Sequence, residues 1–453
     1  MNDLNEQKLT VVVGLGATGL SCVRYLVSQN QPCMVVDSRN NPPGLDELRN
    51  EYPQVKVELG GFNETSLSQA KELMMSPGVS LQTREIANAM ASGVPVTGDI
   101  DLFSRLARAP IVAVTGSNGK STVVALLAEI LRTAERKFAV GGNLDSEFGQ
   151  PALDLLMEPG KDLYVLELSS FQLETTESLG AEVAVILNVS EDHMDRYADM
   201  SDYLAAKRRI FRACRKLVVN RDDDVSGIDP DSALPRWSFG FGVPGQREAG
   251  LSMVAGEQTI CFEDQPVIAV SELKIVGRHN LANAMAAICL ALALDVDLPS
   301  IRRGLKRFPG LPHRCQWLAT VDGVDYYNDS KATNVGAAIA AVQGLGEKTA
   351  GGLLLIAGGD GKGADFNVLA PVLKRWLKGL ILIGRDAERI AAVMDGSVPI
   401  QFADDLEMAV RQAASLSEAG DAVLLSPACA SLDMFANFKQ RGTAFMQAVK
   451  ALQ

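Results

Sequence analysis

The segment Thr115-Gly-Ser-Asn-Gly-Lys-Ser-Thr122 gathers two glycines, a lysine and two adjacent hydroxyls into eight residues. Glycines let backbone N–H groups wrap a phosphate, and a helix starting there presents its N-terminal donors to the same anion. Gly116, Ser117, Asn118 and Gly119 form the wrap. Lys120 places a positive charge on β- and γ-phosphates, and Ser121, with Thr122 beside it, offers a hydroxyl to Mg²⁺. The spacing is shorter than the G-x-x-x-x-G-K-[ST] loop. A second glycine motif, Gly14-x-Gly16-x-x-Gly19, has Asp37 following 18 residues on. Alone it is a dinucleotide fingerprint, with Asp37 reaching a sugar or base. NAD, another nucleotide and a purely structural turn all fit it. A dehydrogenase would also need a site for hydride transfer, and the chain instead carries an ATP-type loop further on.

Glu167 ends an apolar run, Val165-Leu-Glu167-Leu-Ser-Ser-Phe-Gln-Leu173. A carboxylate at the carboxyl end of a buried strand can hold Mg²⁺. Asn188-Val-Ser-Glu-Asp192-His193-Met-Asp195-Arg196 groups acids with an imidazole that can meet a metal or a phosphate. The chain has three histidines, His193, His279 and His313, each in a polar cluster. Three polar loops follow strand-like runs near the C-terminus: Asn328-Asp329-Ser330-Lys331-Ala-Thr333-Asn334, Gly358-Gly-Asp360-Gly-Lys362-Gly, and Ser426 through Ser431 to Phe438. Together they point to one site at a sheet edge.

The elements that must position these groups are readable in outline. Apolar runs at Leu9–Val13, Cys33–Asp37, Ile111–Val114, Leu163–Leu168, Val183–Leu187, Leu353–Ala357, Gly379–Ile383 and Ala422–Leu425 predict strands. Helical stretches between them, including one to about Ser28 and one at Leu281–Leu294, predict mainly parallel α/β sheets with right-handed crossovers. Pro309-Gly-Leu-Pro312 reads as a hinge. The chain of 453 residues is long enough for several cores, and its net charge of −12 disfavours nucleic acid as a partner. Seven scattered cysteines without a CxxC fit reduced thiols. No signal-peptide pattern and no apolar run near 18 residues is read, so no membrane span is expected and the cytoplasm is the expected compartment.

Taken together, these segments resemble the Mur ligase family from end to end. The short Gly-Ser-Asn-Gly-Lys-Ser-Thr loop, Asn-Val-Ser-Glu-Asp-His-Met-Asp-Arg, Gly-Arg-His-Asn280-Leu-Ala-Asn283 and Pro-His-Arg314 match its blocks. The three C-terminal loops and the first glycine motif match its D-glutamate-adding branch, and the Asp-Asn-Pro-Arg signature of the diaminopimelate-adding branch is absent. Folylpolyglutamate synthases share the ATP loop but lack a first domain of this kind.

The resemblance implies three domains: a Rossmann-like UDP-binding domain over residues 1–98, a central P-loop ATPase-like domain over 99–309, and a Rossmann-like amino-acid-binding domain over 310–453. It implies ATP-dependent addition of D-glutamate to UDP-N-acetylmuramoyl-L-alanine in peptidoglycan precursor synthesis, by a monomer. Thr18, Asp37, Ser38, Arg39 and Gly78 would line the UDP site, with Asn143 and His193 meeting the muramoyl part. The P-loop with Asn283, Arg314, Asp329 and Lys331 would hold ATP. Ser121 or Thr122, Glu167 and His193 would bind two Mg²⁺ ions, with a carbamylated Lys207 assisting the second. Lys120, His193 and Lys207 would be catalytic. Thr333, Lys362, Ser431 and Phe438 would bind D-glutamate. The run from Leu144 to Gln150 departs from the family pattern, being longer than the link expected before Pro151.

Overall fold

A computed structural model describes residues 8–144, 149–158, 160–223, 233–275 and 277–452. Residues 145–148, most of the run that departs from the family pattern, lie outside these. Among the described residues, twenty strands form three sheets. The first holds β1 (Thr10–Val13), β2 (Cys33–Asp37), β3 (Lys56–Leu59), β4 (Glu72–Met75) and β5 (Val96–Gly98), all parallel, in the order β3-β2-β1-β4-β5. All four residues of β1 are buried, as expected of a parallel strand covered on both faces. The order reverses between β1 and β4, and a crevice opens at such a switch point.

The central sheet holds β6 (Ile111–Thr115), β7 (Phe138–Gly142), β8 (Leu163–Glu167), β9 (Val183–Ile186), β10 (Leu217–Asn220), β11 (Arg236–Phe239), β12 (Glu248–Val254), β13 (Glu257–Phe262) and β14 (Gln265–Ala269). Its order is β14-β13-β12-β11-β10-β9-β6-β8-β7. β12, β13 and β14 pair antiparallel, and the other pairings are parallel. The third sheet holds β15 (Gln316–Val321), β16 (Val324–Asn328), β17 (Leu353–Gly358), β18 (Leu377–Ile383), β19 (Ile400–Phe402) and β20 (Ala422–Leu425), ordered β15-β16-β20-β17-β18-β19. Only β15 pairs antiparallel there.

The helix Lys120–Thr133 buries Val123, Val124, Leu126, Leu127, Ile130 and Leu131. It lies against helices Arg278–Ala293 and Leu298–Arg307. A Cβ on Gly304 would come within 2.6 Å of the Ile130 Cα, so only glycine permits that helix crossing. One apolar cluster runs without a break from Val12, Leu15 and Met74 of the first sheet's region, through Ile100, Phe103 and Leu153, to Ala113 and Leu166 of the central sheet. The third sheet's two faces are covered by clusters drawn from its own region alone. Among the described residues, no helix is long and apolar enough to cross a membrane.

Candidate active site

β6 lies between β9 and β8, so the segments after these three strands share the sheet's carboxyl edge. The loop after β6 enters helix Lys120–Thr133 through Gly119, whose φ is +86°. A Cβ there would stand 2.3 Å from Asn283 Oδ1, so both backbone and packing demand glycine. Asn188, just beyond β9, clamps the loop. Its Oδ1 accepts from the Asn118 N–H at 2.8 Å and its Nδ2 donates to the Asn118 carbonyl at 3.1 Å. Ser117 Oγ donates to the Ser190 carbonyl at 2.9 Å.

The Lys120 ammonium donates to the carbonyls of Gly116 and Ser117, at 2.8 and 3.1 Å. Burial lowers its pKa, with the Glu167 and Asp192 carboxylates opposing. Lys207 donates to the same Gly116 carbonyl at 3.0 Å and stands 4.4 Å from the Tyr203 ring. Its residue is 1% exposed, although its place in helix Met200–Arg208 gave no sign of burial. Desolvation, then the nearby Lys120 charge, pushes its pKa well below the usual lysine range.

Glu167 is 3% exposed. One carboxylate oxygen accepts from Asn143 Nδ2 at 3.3 Å, and the other is buried with no partner. His193 adopts φ +58°, with its ring 4.7 Å from Phe171 and its Nε2 3.7 Å from an Asp192 oxygen. Burial lowers its pKa, so the neutral imidazole is favoured. Among the described residues no group of three or more His, Cys, Asp and Glu could hold a metal by itself. Mg²⁺ is commonly held by one or two carboxylates together with substrate phosphates and water. The orphaned Glu167 oxygen, lining one cleft with Ser121 and the glycine loop, fits that ion.

The third sheet contributes from across the cleft. Arg314 donates to Ser121 Oγ at 2.8 Å, and Asn334 Nδ2 reaches Asn118 Oδ1 at 3.1 Å and Asp192 Oδ2 at 3.3 Å. Lys362, with φ +50°, lies 3.8 Å from Asp192 Oδ1. A cleft of about 240 Å³ is thereby lined by Lys120, Glu167, His193, Lys331, Thr333 and Lys362. A neighbouring cavity of about 130 Å³ is lined by Thr122, Asn283, Arg314 and Asp329. Asp329 accepts from the Cys315 N–H at 3.0 Å and from Ser426 Oγ at 2.8 Å, and burial raises its pKa to about 7. Ser431 and Phe438 are not among the cleft's lining residues. Ser431 is buried, and the Phe438 ring centre lies 3.9 Å from the Lys331 ammonium.

Thr18, Asp37, Ser38, Arg39 and Gly78 gather at the first sheet's carboxyl edge. Asp37 is already occupied. One oxygen accepts from the Leu15 N–H at 2.7 Å, and both meet the Arg39 guanidinium. Asp37 therefore holds the first glycine loop and fixes Arg39, and its pKa is lowered despite burial. Ser76 Oγ ties the Gly14 carbonyl to the loop that carries Gly78, at 2.8 Å. Asn188, Asp192, Asn334 and Arg196 were not singled out from sequence. Their motifs were visible, but their partners lie on other strands or in another sheet.

A mainly parallel three-sheet α/β molecule with a phosphate loop facing a third-sheet cleft is the architecture of an ATP-using ligase. Three family models cover this chain: the Mur ligase MurD-like N-terminal domain over residues 8–98, the Mur ligase middle domain over 114–291, and the Mur ligase glutamate ligase domain over 313–429. The chain belongs to the Mur ligase family. It is 52% identical over 452 residues to the UDP-N-acetylmuramoylalanine–D-glutamate ligase of Pseudomonas aeruginosa, covering 100% of both chains. Identity to the ligase of the same name from Pseudomonas syringae pv. tomato is 50%, with the same coverage. Among solved structures, the UDP-N-acetylmuramate-alanine ligase of Thermotoga maritima superposes with TM-score 0.63 at 19% identity, covering 99% of this chain and 100% of that one. A pseudomurein peptide ligase type C from Methanothermus fervidus gives 0.62 at 19% with the same coverage, and these two likenesses speak for the fold.

Proposed function

We propose that the chain joins D-glutamate to the L-alanyl carboxylate of UDP-N-acetylmuramoyl-L-alanine, using ATP and passing through an acyl phosphate. The reaction belongs to peptidoglycan precursor synthesis, and so to cell-wall growth, shape and division. The observation that carries this reading is the single cleft in which Lys120, Glu167 and His193 face Thr333 and Lys362. Full-length similarity to D-glutamate ligases supports the choice of amino acid. The enzyme acts in the cytoplasm as a monomer.

In this reading residues 1–98 dock the UDP group on Thr18, Ser38, Arg39 and Gly78, with Asp37 holding the loop. Residues 99–309 hold the ATP phosphates on Gly116 to Thr122, with Asn283 beside them. Residues 310–453 add Arg314, Asp329 and Lys331 to the nucleotide and take D-glutamate on Thr333, Lys362, Ser431 and Phe438. Asn143 and His193 meet the muramoyl part. Ser121 or Thr122, Glu167, His193 and a carbamylated Lys207 would hold two Mg²⁺ ions, which neutralise phosphoryl charge when bound.

A carboxylate is inert toward an amine at neutral pH. The γ-phosphoryl group is therefore transferred to the L-alanyl carboxylate, the D-glutamate amine attacks the acyl carbon, and phosphate leaves. Charge gathers on phosphoryl oxygens throughout, so Lys120 contributes by electrostatic preorganisation. The two sides of the cleft contribute by holding the anions in line and excluding water. The test is phosphate release from ATP with UDP-N-acetylmuramoyl-L-alanine and different amino acids. Release that depends on D-glutamate, with a product heavier by one glutamyl residue, is expected. Release with another amino acid would remove the roles given to Thr333, Lys362, Ser431 and Phe438.

A further inference from the structure

Arg196 follows His193 by three residues and joins it in a turn, its N–H donating to the His193 carbonyl at 2.9 Å. Its side chain points to the first sheet. Nη1 donates to the Pro77 carbonyl at 2.9 Å and Nη2 to the Val79 carbonyl at 3.4 Å. These two carbonyls flank Gly78, which is left exposed at the crevice edge. The rest of the guanidinium is fixed within the central region. Nε and Nη2 form a fork on Glu174, at 3.2 and 2.6 Å, and the guanidinium carbon lies 4.3 Å from the Phe171 ring centre. Phe171 is also the ring packed against His193. Both members of the ion pair are largely buried, with side chains 13% and 17% exposed, so the geometry is protected from solvent screening.

We propose that Arg196 is a positioning residue that sets the distance between the UDP-docking loop at Gly78 and the reaction centre at His193. This rests on the function proposed above. The substrate spans the two places: its uridine end docks on the first sheet's edge and its L-alanyl carboxylate must arrive beside the P-loop. Two carbonyls of one loop and the ring behind His193 converge on one planar cation, so a shift in either place is felt in the other. Lysine cannot reproduce this arrangement, because an ammonium has no planar fork to serve a carboxylate and two carbonyls at once.

The experiment is steady-state kinetics of Arg196→Ala and Arg196→Lys, varying each of the three substrates, with calorimetric binding of UDP-N-acetylmuramoyl-L-alanine alone. We expect Arg196→Ala to raise KM and Kd for the UDP substrate about tenfold or more and to lower kcat, while KM for ATP stays within about twofold. Arg196→Lys should fall between the two. A purely structural role would raise all three KM values together, in step with a lost melting temperature, and that result would overturn the proposal. So would an unchanged KM for the UDP substrate. Should Arg196→Ala fail to fold, Arg196→Lys decides by the same ratio. A wild-type chain that releases no phosphate in response to D-glutamate overturns the functional reading instead, so the two failures are distinguishable.

Discussion

Lys207 has its ammonium buried against the Gly116 carbonyl and the Tyr203 ring, 1% exposed, with Lys120 bonded to the same carbonyl. A desolvated amine with a depressed pKa is held neutral more readily than a surface lysine. A neutral amine is the form that adds CO₂, and the carbamate so formed would bring a negative charge to a place now crowded with positive ones. Assays run after exhaustive removal of CO₂ and bicarbonate should therefore lose activity, and added bicarbonate should restore it. Turnover indifferent to bicarbonate would argue for a permanent ammonium. Lys120 makes a different prediction. In the proposed reading it serves the phosphates, while in the free protein it bonds two loop carbonyls, so Lys120→Ala should lower kcat by about 100- to 1,000-fold with only a small loss of melting temperature. Wild-type turnover in that variant would refute its role. Lys120 was legible because Gly-Lys-Ser is read from adjacent residues. Lys207 was not, because burial of a helix position is decided by what packs on it, here Tyr203 and the P-loop backbone. The resemblance to a family supplied what spacing could not.

At the level of elements, β1, β2, β6, β8, β9, β17, β18 and β20 were visible because each is a short, largely buried apolar run, whereas β3 and β19 are half-exposed and gave no such signal. The antiparallel margins escaped notice. β12 and β13 are joined by Ala255-Gly256, both at positive φ, and β15 and β16 by Asp322-Gly323, again both positive. Asp-Gly between two strand-like runs is a strong two-residue hairpin signal. The signal is weak in the sequence because β15 buries only one of its six residues, although β16 alternates between buried and half-exposed positions. The element proposed to hold the phosphates is the β6–loop–helix unit, and its most constrained position is Gly119. Any side chain there meets Asn283 and strains a left-handed backbone, at a cost of about 1–3 kcal/mol. Gly119→Ala should lower the melting temperature only modestly, because the helix core from Val123 to Leu131 is untouched. Nucleotide affinity should fall by about tenfold or more, since about 1.4 kcal/mol of displaced loop geometry suffices for that. Titration with a nonhydrolysable ATP analogue checks it, and unaltered affinity would show that the loop does not wrap the phosphates.

The whole molecule is joined in two unlike ways. The first and central sheets share one continuous apolar cluster, which resists opening. The central and third sheets meet around the cleft through polar contacts, Arg314 to Ser121, Asn334 to Asn118 and Asp192, and Lys362 to Asp192, and beside it helix Arg278–Ala293 lies against helix Val335–Gly346. Half-exposed contacts of this kind contribute about 0.5–1.5 kcal/mol each. A joint of a few polar contacts and one helix pair is weaker than a continuous apolar core, so substrates that touch both sides are expected to strengthen it. Asn334 is the most informative of the set, since its one amide group bridges two central loops. Asn334→Ala should shift the free protein toward the open form, and small-angle scattering should report a larger radius of gyration that contracts when ATP analogue and both other substrates are added. Apparent affinity falls by the fraction of closed molecules lost. KM for D-glutamate and for ATP should therefore rise together, by about tenfold if about 1.4 kcal/mol of closure is removed. The UDP substrate, proposed to dock on the first sheet's carboxyl edge away from the third sheet, should bind the variant alone as tightly as the wild type. Equal weakening of all three substrates would mean that the third sheet is not an independent mover, and an unchanged scattering profile would place the closure energy elsewhere in the cleft.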